Sequence, residues 1–422
     1  MRRIFWLGFL LVLQSGLARA AADTLRLRLP EAEQRFLERN LSLLAQRYQV
    51  SAAEAQILQA RLWDNPTVFL EQNAYNPHTG RVLDVTASGN SIVQVQQLFA
   101  LAGRRRAAAD VARQQTLVEQ FTFEDLLRTL RYQLRATFYG LYYQQRTLQL
   151  YDEEIGSLQR TVEQFQQQHA KGNLALKEVI RLNAFLFQLE NERQGLRAEL
   201  AAAQADLRVL LGDEAAPVYQ PEVSEAALRT LSLGSYTAAQ LADSAVVRRA
   251  DLKAQQAQVE QQAQNIRLQR ALATPDLALG YSFDRAGNYI QNYNAVTLGV
   301  ALPLFNRNQG NIRTARAQAQ GSQAQFEQQR LLVRSEVAQA YEVASQADRL
   351  YQRTDRDTEA LERLRAGIEQ SFARRNLTVV EFLDFYESYK NNVVQLNQLR
   401  ATRVRAFEQL NLAVGQPLFQ AE

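Results

Sequence analysis

This chain is written twice. Asn65-Pro66 recurs as Thr274-Pro275, 209 positions on, and Leu98-Phe99 as Leu304-Phe305, 206 on. Gly172-Asn173-Leu174 aligns with Arg375-Asn376-Leu377, and Leu211-Gly212 with Val414-Gly415, both at 203. Four landmarks in one order, with offsets agreeing within six residues, mark an internal duplication.

Each copy reads as helix, two strands, long helix, turn and helix. In the first, apolar residues recur at helical spacing from Pro30 to about Arg61, and Asn65-Pro66 stops the helix. Thr67–Gln72 and Ser91–Leu98 read as strands around a Gly-, Asn- and Pro-bearing loop. A proline-free run from about Gly103 to His169 predicts roughly 100 Å of helix. A turn at 170–173 leads to a second helix ending at Leu211-Gly212, where glycine suits a left-handed cap. The second copy predicts helix over about 242–273, strands over 276–284 and 295–302, helix over 308–371 and a last helix over 377–414. Residues 213–240, with Pro217 and Pro221, form the least regular piece. The expected division is a signal segment at 1–20, repeats at 21–212 and 241–415, a linker at 213–240 and a tail at 416–422.

Composition narrows the function. Eight prolines, 18 glycines and 51 glutamines in 422 residues favour long helices over an all-β or disordered chain. No cysteine means no disulfide, no thiolate nucleophile, no Cys-based zinc site and no acylated cysteine. Two histidines and one methionine argue against a soluble metalloenzyme. Residues 1–20 carry Arg2 and Arg3, an apolar run from Ile4 to Leu13 and a closing Ala18-Arg19-Ala20, the pattern of an export signal. Its removal leaves 45 basic against 44 acidic residues, with no net field for nucleic acid. After it there is no uninterrupted 18-residue apolar run and hence no transmembrane helix.

The strands of the second copy alternate. Leu277, Leu279, Tyr281 and Phe283 face one way, and Val296, Leu298, Val300 and Leu302 likewise, against small or polar partners. In the first copy Val68 and Leu70 share a face, but Phe69 disturbs the pattern. Such alternation suits a transmembrane barrel and equally any half-buried sheet. Four strands cannot close a barrel, so membrane insertion requires several chains to pool them. The long helices carry Ala, Leu and Gln stripes suited to a cylinder wall or to a solid coiled-coil rod.

Three strings then resemble a known family: Asn65-Pro66; Gln97-Leu98-Phe99 followed by Gly103-Arg104-Arg105; and Leu302-Pro303-Leu304-Phe305-Asn306-Arg307-Asn308-Gln309-Gly310-Asn311. Over residues 25–416 the chain resembles the outer-membrane efflux proteins, the TolC-like channels of tripartite export systems. Within them it is most similar to the outer-membrane component of cobalt–zinc–cadmium efflux systems. The resemblance implies a mainly α chain with a membrane β part. Four strands per protomer would complete a twelve-stranded trimeric barrel above a long coiled-coil helical tunnel, with 213–240 in the equatorial region. It implies a homotrimer in Gram-negative outer-membrane lipid, reaching into the periplasm. A periplasmic adaptor (membrane fusion protein) and an inner-membrane pump of the RND type are the implied partners, and no cofactor is implied. Heavy-metal cations are the implied cargo, with drugs or organic solutes as the alternative. From another class, an exported poreless coiled-coil scaffold is the competing reading.

Glu381 and Asp384 stand at i and i+3 and share a helix face just after the second turn. The resemblance assigns them to an acidic ring at the periplasmic entrance, where six carboxylates from three copies would attract cations. The plainer alternative is a solvated acidic pair. Their first-repeat counterparts, Glu178 and Arg181, are not an acidic pair. Where the best-studied channels close with an aromatic hydroxyl and an arginine, this chain has Phe372 and Leu377. Arg374 and Arg375 are the polar candidates to replace that lock. The turns at 169–176 and 372–379 are the expected adaptor-docking tips, with Gly172, Asn173, Leu174, Asn376 and Leu377. Asn followed by Leu also reads as a helix N-cap and its first apolar anchor. His78 and His169 are isolated and read as structural. Arg104-Arg105-Arg106 read as an interfacial girdle. No nucleophile elbow, phosphate loop or catalytic carboxylate pair is present in the sequence, so the expectation is a protein that is not an enzyme.

Overall fold

The computed structural model describes residues 24–214, 217–286, 290–354, 358–374 and 376–420. The expected signal segment, Arg375 and the final two residues lie outside the described residues. Strand β1 (Thr24–Arg28) leads into α1 (Leu29–Arg39) and α2 (Leu41–Arg61), followed by β2 (Thr67–Gln72), β3 (Tyr75–Asn76), β4 (Arg81–Val82) and β5 (Ser91–Phe99). Helices α3 (Arg104–Ala170) and α4 (Leu176–Leu211) form the first long hairpin. After β6 (Val218–Glu222), α5 (Glu225–Arg229), α6 (Ala238–Arg248) and α7 (Ala250–Ala271) come β7 (Leu277–Asp284) and β8 (Tyr293–Val300). Helices α8 (Gln309–Thr354), α9 (Thr358–Ala373) and α10 (Val379–Val414) complete the chain. No helix among the described residues is long and apolar enough to cross a membrane.

The chain forms two compact units, and each draws on both sequence repeats. Of the described residues, one takes those up to Leu41, Arg128–Ala238 and those from Ala338 on; the other takes Ser42–Leu127 and Ala239–Val337.

Two helices expected to be continuous are each broken once. Asn40 separates α1 from α2, and Arg249 separates α6 from α7, 209 positions on. Both adopt extended backbone, with φ/ψ of −64/117° and −61/129°, and their N–H groups return to Phe36 and Ala245. The cause is tertiary. Buried Asn40 donates its side-chain amide to the Leu210 carbonyl at 3.0 Å, and buried Arg249 pairs with Asp251 and Glu336. Gly212, two residues past Leu210, has φ +63°, and a Cβ there would lie 2.5 Å from the Arg39 carbonyl oxygen. Only glycine meets both conditions.

The stretch 213–240, expected to be irregular, holds β6 and α5. Strand β6 pairs in parallel with β1, in register from Thr24↔Val218 to Arg28↔Glu222. Its outer edge is closed by side chains: the Tyr219 N–H donates to Gln204 Oε1 at 2.9 Å, and its carbonyl accepts from Gln204 and Gln145 at 2.7 and 2.8 Å.

The second sheet has the order β2-β5-β7-β8, antiparallel throughout. Val68, Val95, Tyr281 and Val296 are direct cross-strand partners and form one row on one face. That face stays exposed, Val296 to 82%. Phe69, which disturbs the pattern, stands opposite Gln94 on the other face. The last strand begins two residues earlier than expected and ends at Val300, because Pro303 offers no ladder donor and Leu302 accepts from the Leu304 N–H in a turn. Strands β2 and β8 each keep one unpaired edge, so the sheet of one chain is open. The β2–β5 loop folds around buried Asp84, which accepts hydrogen bonds from Thr86, Thr79 and Asn76 that hold its carboxyl well below the usual carboxylate range.

Candidate functional site at the helix-hairpin tips

Both hairpin turns end their first helix in the same way. In the first, Gly172 takes φ +76° and the Asn173 N–H returns to the Gln168 carbonyl at 2.9 Å. In the second, the Asn376 N–H returns to the Ser371 carbonyl at 2.9 Å, the same bond 203 positions on. Asn173 and Asn376 therefore finish the preceding helix and are not N-caps. Those caps fall two residues later, at Ala175 and Thr378. The His169 ring is structural, its Nδ1 lying 2.8 Å from the Leu174 carbonyl oxygen. Gly172, Asn173, Asn376 and Arg374 are exposed, while Leu174 and Leu377 are half-buried.

Behind the turns, α3, α4, α9 and α10 share one apolar core. Its axis is a column of rings. Phe372 stacks on Phe165 at 5.5 Å and 9°, and on Phe382 at 4.0 Å and 16°. Phe382 continues to Tyr386 at 5.2 Å, and Tyr386 meets Phe185 edge-on at 6.0 Å. Phe372 and Leu377, expected beside the gate, thus pack into the seam that joins the two hairpins.

One helical turn beyond Tyr386 the seam becomes polar. Lys390, only 2% exposed, donates to Glu192 Oε2 at 2.7 Å, and the Tyr151 hydroxyl donates to the same oxygen at 2.9 Å. Burial alone would raise the Glu192 pKa, but the bonds from Lys390, Gln188 and Tyr151 outweigh it and hold the carboxyl below the usual carboxylate range. A depressed carboxyl stabilises the fold above its unfolded pKa and loses that contribution as pH falls through the folded value. The midpoint of denaturant unfolding should therefore stay level from neutrality to about pH 5 and drop in stronger acid. Glu192→Gln should cost about 1.5–3 kcal/mol at neutral pH and lack that acid-side loss. A variant with the wild-type pH profile would disprove the pairing.

Glu381 and Asp384 lie on the exposed face of α10, opposite Phe382 and Tyr386. Glu381 Oε2 accepts from the Thr378 N–H and hydroxyl, both at 2.8 Å, while Thr378 Oγ1 accepts from the Glu381 N–H at 3.3 Å. This reciprocal cap lowers the Glu381 pKa, chiefly through the backbone bond. The Thr-x-x-Glu spelling at 378–381 signals it in sequence and was missed there. Asp384 follows one turn on, also exposed. Glu178, in the first turn of α4, and Arg181 repeat neither the box nor the acidic pair. No group of three or more His, Asp or Glu side chains converges as a metal site among the described residues.

The chain matches the model of the family described as "Outer membrane efflux protein" over residues 33–213 and 241–416. It is 24% identical over 289 residues to the cobalt-zinc-cadmium resistance protein CzcC of Cupriavidus metallidurans, covering 68% of this chain. The match spans 65% of that relative, less than two thirds of its length. Among solved structures, a membrane protein from Pseudomonas aeruginosa aligns with TM-score 0.75 and 19% identity over 92% of both chains. The CmeC outer membrane channel of Campylobacter jejuni aligns with TM-score 0.77 and 13% identity, over 93% of this chain and 87% of that one. At such identities the structures establish the fold, and the family model adds the membership. Matched in both of its copies, this chain belongs to the outer membrane efflux protein family.

Proposed function

We propose that this protein is the passive exit duct of a three-component efflux system, assembled as a homotrimer. It receives solute from an inner-membrane pump of the RND type through a periplasmic adaptor and releases it outside the cell. The observation that carries this reading is the open four-stranded sheet, apolar on its exposed face and unpaired at both edges. Hydrocarbon does not tolerate an open edge, so the strands must be pooled between chains. Three copies supply twelve strands, within the range of known barrels. The exposed turns of the helical hairpins are the surfaces offered to the adaptor. A duct driven from elsewhere needs no cofactor and breaks no bonds.

For the cargo we favour divalent heavy-metal cations. The similarity to CzcC supports this, as does the exposed pair Glu381 and Asp384, which in three copies would line the periplasmic mouth with six carboxylates. Such a ring concentrates cations and repels anions.

Single-channel conductance in a planar bilayer tests both parts. The wild type should give a discrete, cation-preferring conductance, and Glu381→Ala/Asp384→Ala should lose the preference and widen the current. An unchanged variant would keep the duct and remove the gate assignment. No conductance from folded, detergent-extracted oligomer would put the poreless scaffold on equal footing with a tightly closed channel.

A further inference from the structure

The unit that contains Arg128–Ala238 holds a cleft of about 650 Å³, within the range of small-molecule sites. Its walls are the β1–α1 junction, one face of α3, the residues that join β6 to α5, and Gln420. Much of the lining is apolar, from Leu29, Pro30, Phe138, Val223, Ala227 and Leu228.

Two polar side chains interrupt that lining, one helical turn apart on α3. Tyr139 is 6% exposed, and its hydroxyl meets no hydrogen-bond partner among the described residues. Burial pushes its pKa up to about 12, so the hydroxyl keeps its proton and can donate. Arg135 is 8% exposed. Its Nε donates to Glu33 at 2.6 Å and its Nη1 to Glu408 at 3.2 Å, while its Nη2 donates to no described residue. A buried donor without an acceptor is destabilising, and phenylalanine would fill the Tyr139 site without that penalty.

Charge narrows the ligand. Arg26, Arg28 and Arg135 stand against Glu33, Glu222 and Glu408, three of each sign, paired at 2.6 to 3.9 Å. An ion entering here would lose its water and find the opposite charges already taken.

We propose that this cleft binds an uncharged, largely apolar organic molecule with one strong acceptor oxygen, such as an aryl ketone or amide. The Tyr139 hydroxyl and Arg135 Nη2 donate to that oxygen, and the apolar body lies against Leu29, Phe138, Ala227 and Leu228. Water can meet the two donors, but apolar walls favour an apolar occupant over water. The site is separate from the acidic pair on α10, and the inference does not depend on the duct reading.

Benzophenone is the probe, because it has this shape and its ketone links covalently to nearby C–H groups under ultraviolet light. In full-length, detergent-extracted oligomer, mass spectrometry should place saturable label in the peptides carrying Leu29 and Ala227–Leu228. Diphenylmethane, the same shape without the oxygen, should compete about fivefold less well than unirradiated benzophenone. Tyr139→Phe should weaken labelling by about fivefold without lowering the midpoint of denaturant unfolding, since no bond within the chain is lost. Ala227→Phe, which fills the cleft, should abolish the label. Equal labelling of wild type and Tyr139→Phe would overturn the proposal, as would diphenylmethane competing equally well. So would label that never saturates or falls elsewhere, whether a neighbouring copy fills the cleft or the probe merely dissolves in detergent. Single-channel conductance is independent of each of these results, so the duct stands or falls separately.

Discussion

Arg403→Leu is expected to destabilise the unit built from Arg128–Ala238 and the C-terminal helices by about 3–5 kcal/mol. Arg403 is 2% exposed and fully engaged. Its Nε donates to Asp348 Oδ1 at 2.7 Å, Nη1 to the Leu228 carbonyl at 2.8 Å and Nη2 to the Leu231 carbonyl. The guanidinium also lies 4.1 Å from the Tyr351 ring centroid and 5.4 Å from that of Phe407. One side chain therefore ties α10 to α8 and to the residues around α5. Leucine fills part of the volume but leaves the Asp348 carboxylate without its cation and two carbonyls without donors, and the penalty lies there. Lysine keeps the charge without the planar fork, so Arg403→Lys should fall between. Asp348→Leu combined with Arg403→Leu should recover much of the loss, because a buried pair removed together leaves no orphaned charge. Denaturant unfolding followed by circular dichroism reads all three. A single variant as stable as wild type would show that the network contributes nothing.

Phe382→Ala should cost a similar amount, about 3–5 kcal/mol, and its effect should be local to the tip. The ring is buried between Phe372 and Tyr386, so its loss opens a cavity and breaks two aromatic contacts, each about 0.5–1.5 kcal/mol. The column runs through the apolar core shared by the α3/α4 and α9/α10 hairpins. Limited proteolysis should shift cleavage into 372–379 while the four-stranded sheet stays resistant. In the duct reading the same variant should open more often in a bilayer, since a loosened tip no longer holds its turn in place. Unaltered protease resistance and unaltered gating would together reject the column as the element that sets the tip.

The elements were largely legible because each rests on local chemistry. Proline placement, period-two alternation and the glycines after Leu211 and Val414 put the four strands of the main sheet and the hairpin helices within a residue or two of where they stand. Gly212 and Gly415 do take left-handed caps, at φ 63° and 81°. The two helix breaks and strand β6 were missed for one reason. The helix breaks at Asn40 and Arg249 depend on a carbonyl 170 residues away and on carboxylates supplied partly by another helix. Strand β6 depends on a partner at Thr24–Arg28. Neither dependence leaves a periodic trace in the segment itself.

The candidate site divides along the same line. That Glu381 and Asp384 share a face, and that two similar turns cap two long hairpins, follows from spacing and duplication alone. Helical geometry is the same wherever the helix lies. That Phe372 occupies a ring column, that Leu377 packs behind it, and that Lys390 is buried against Glu192 and Tyr151 could be decided only by tertiary structure. Each depends on which helices meet and in what register, and stacking or ion pairing across a seam carries no signal along a single strand of sequence. The duplication determined the architecture. The seam between the two hairpins, where the copies have diverged from His169 to Phe372 and from Phe187 to Lys390, was settled by packing.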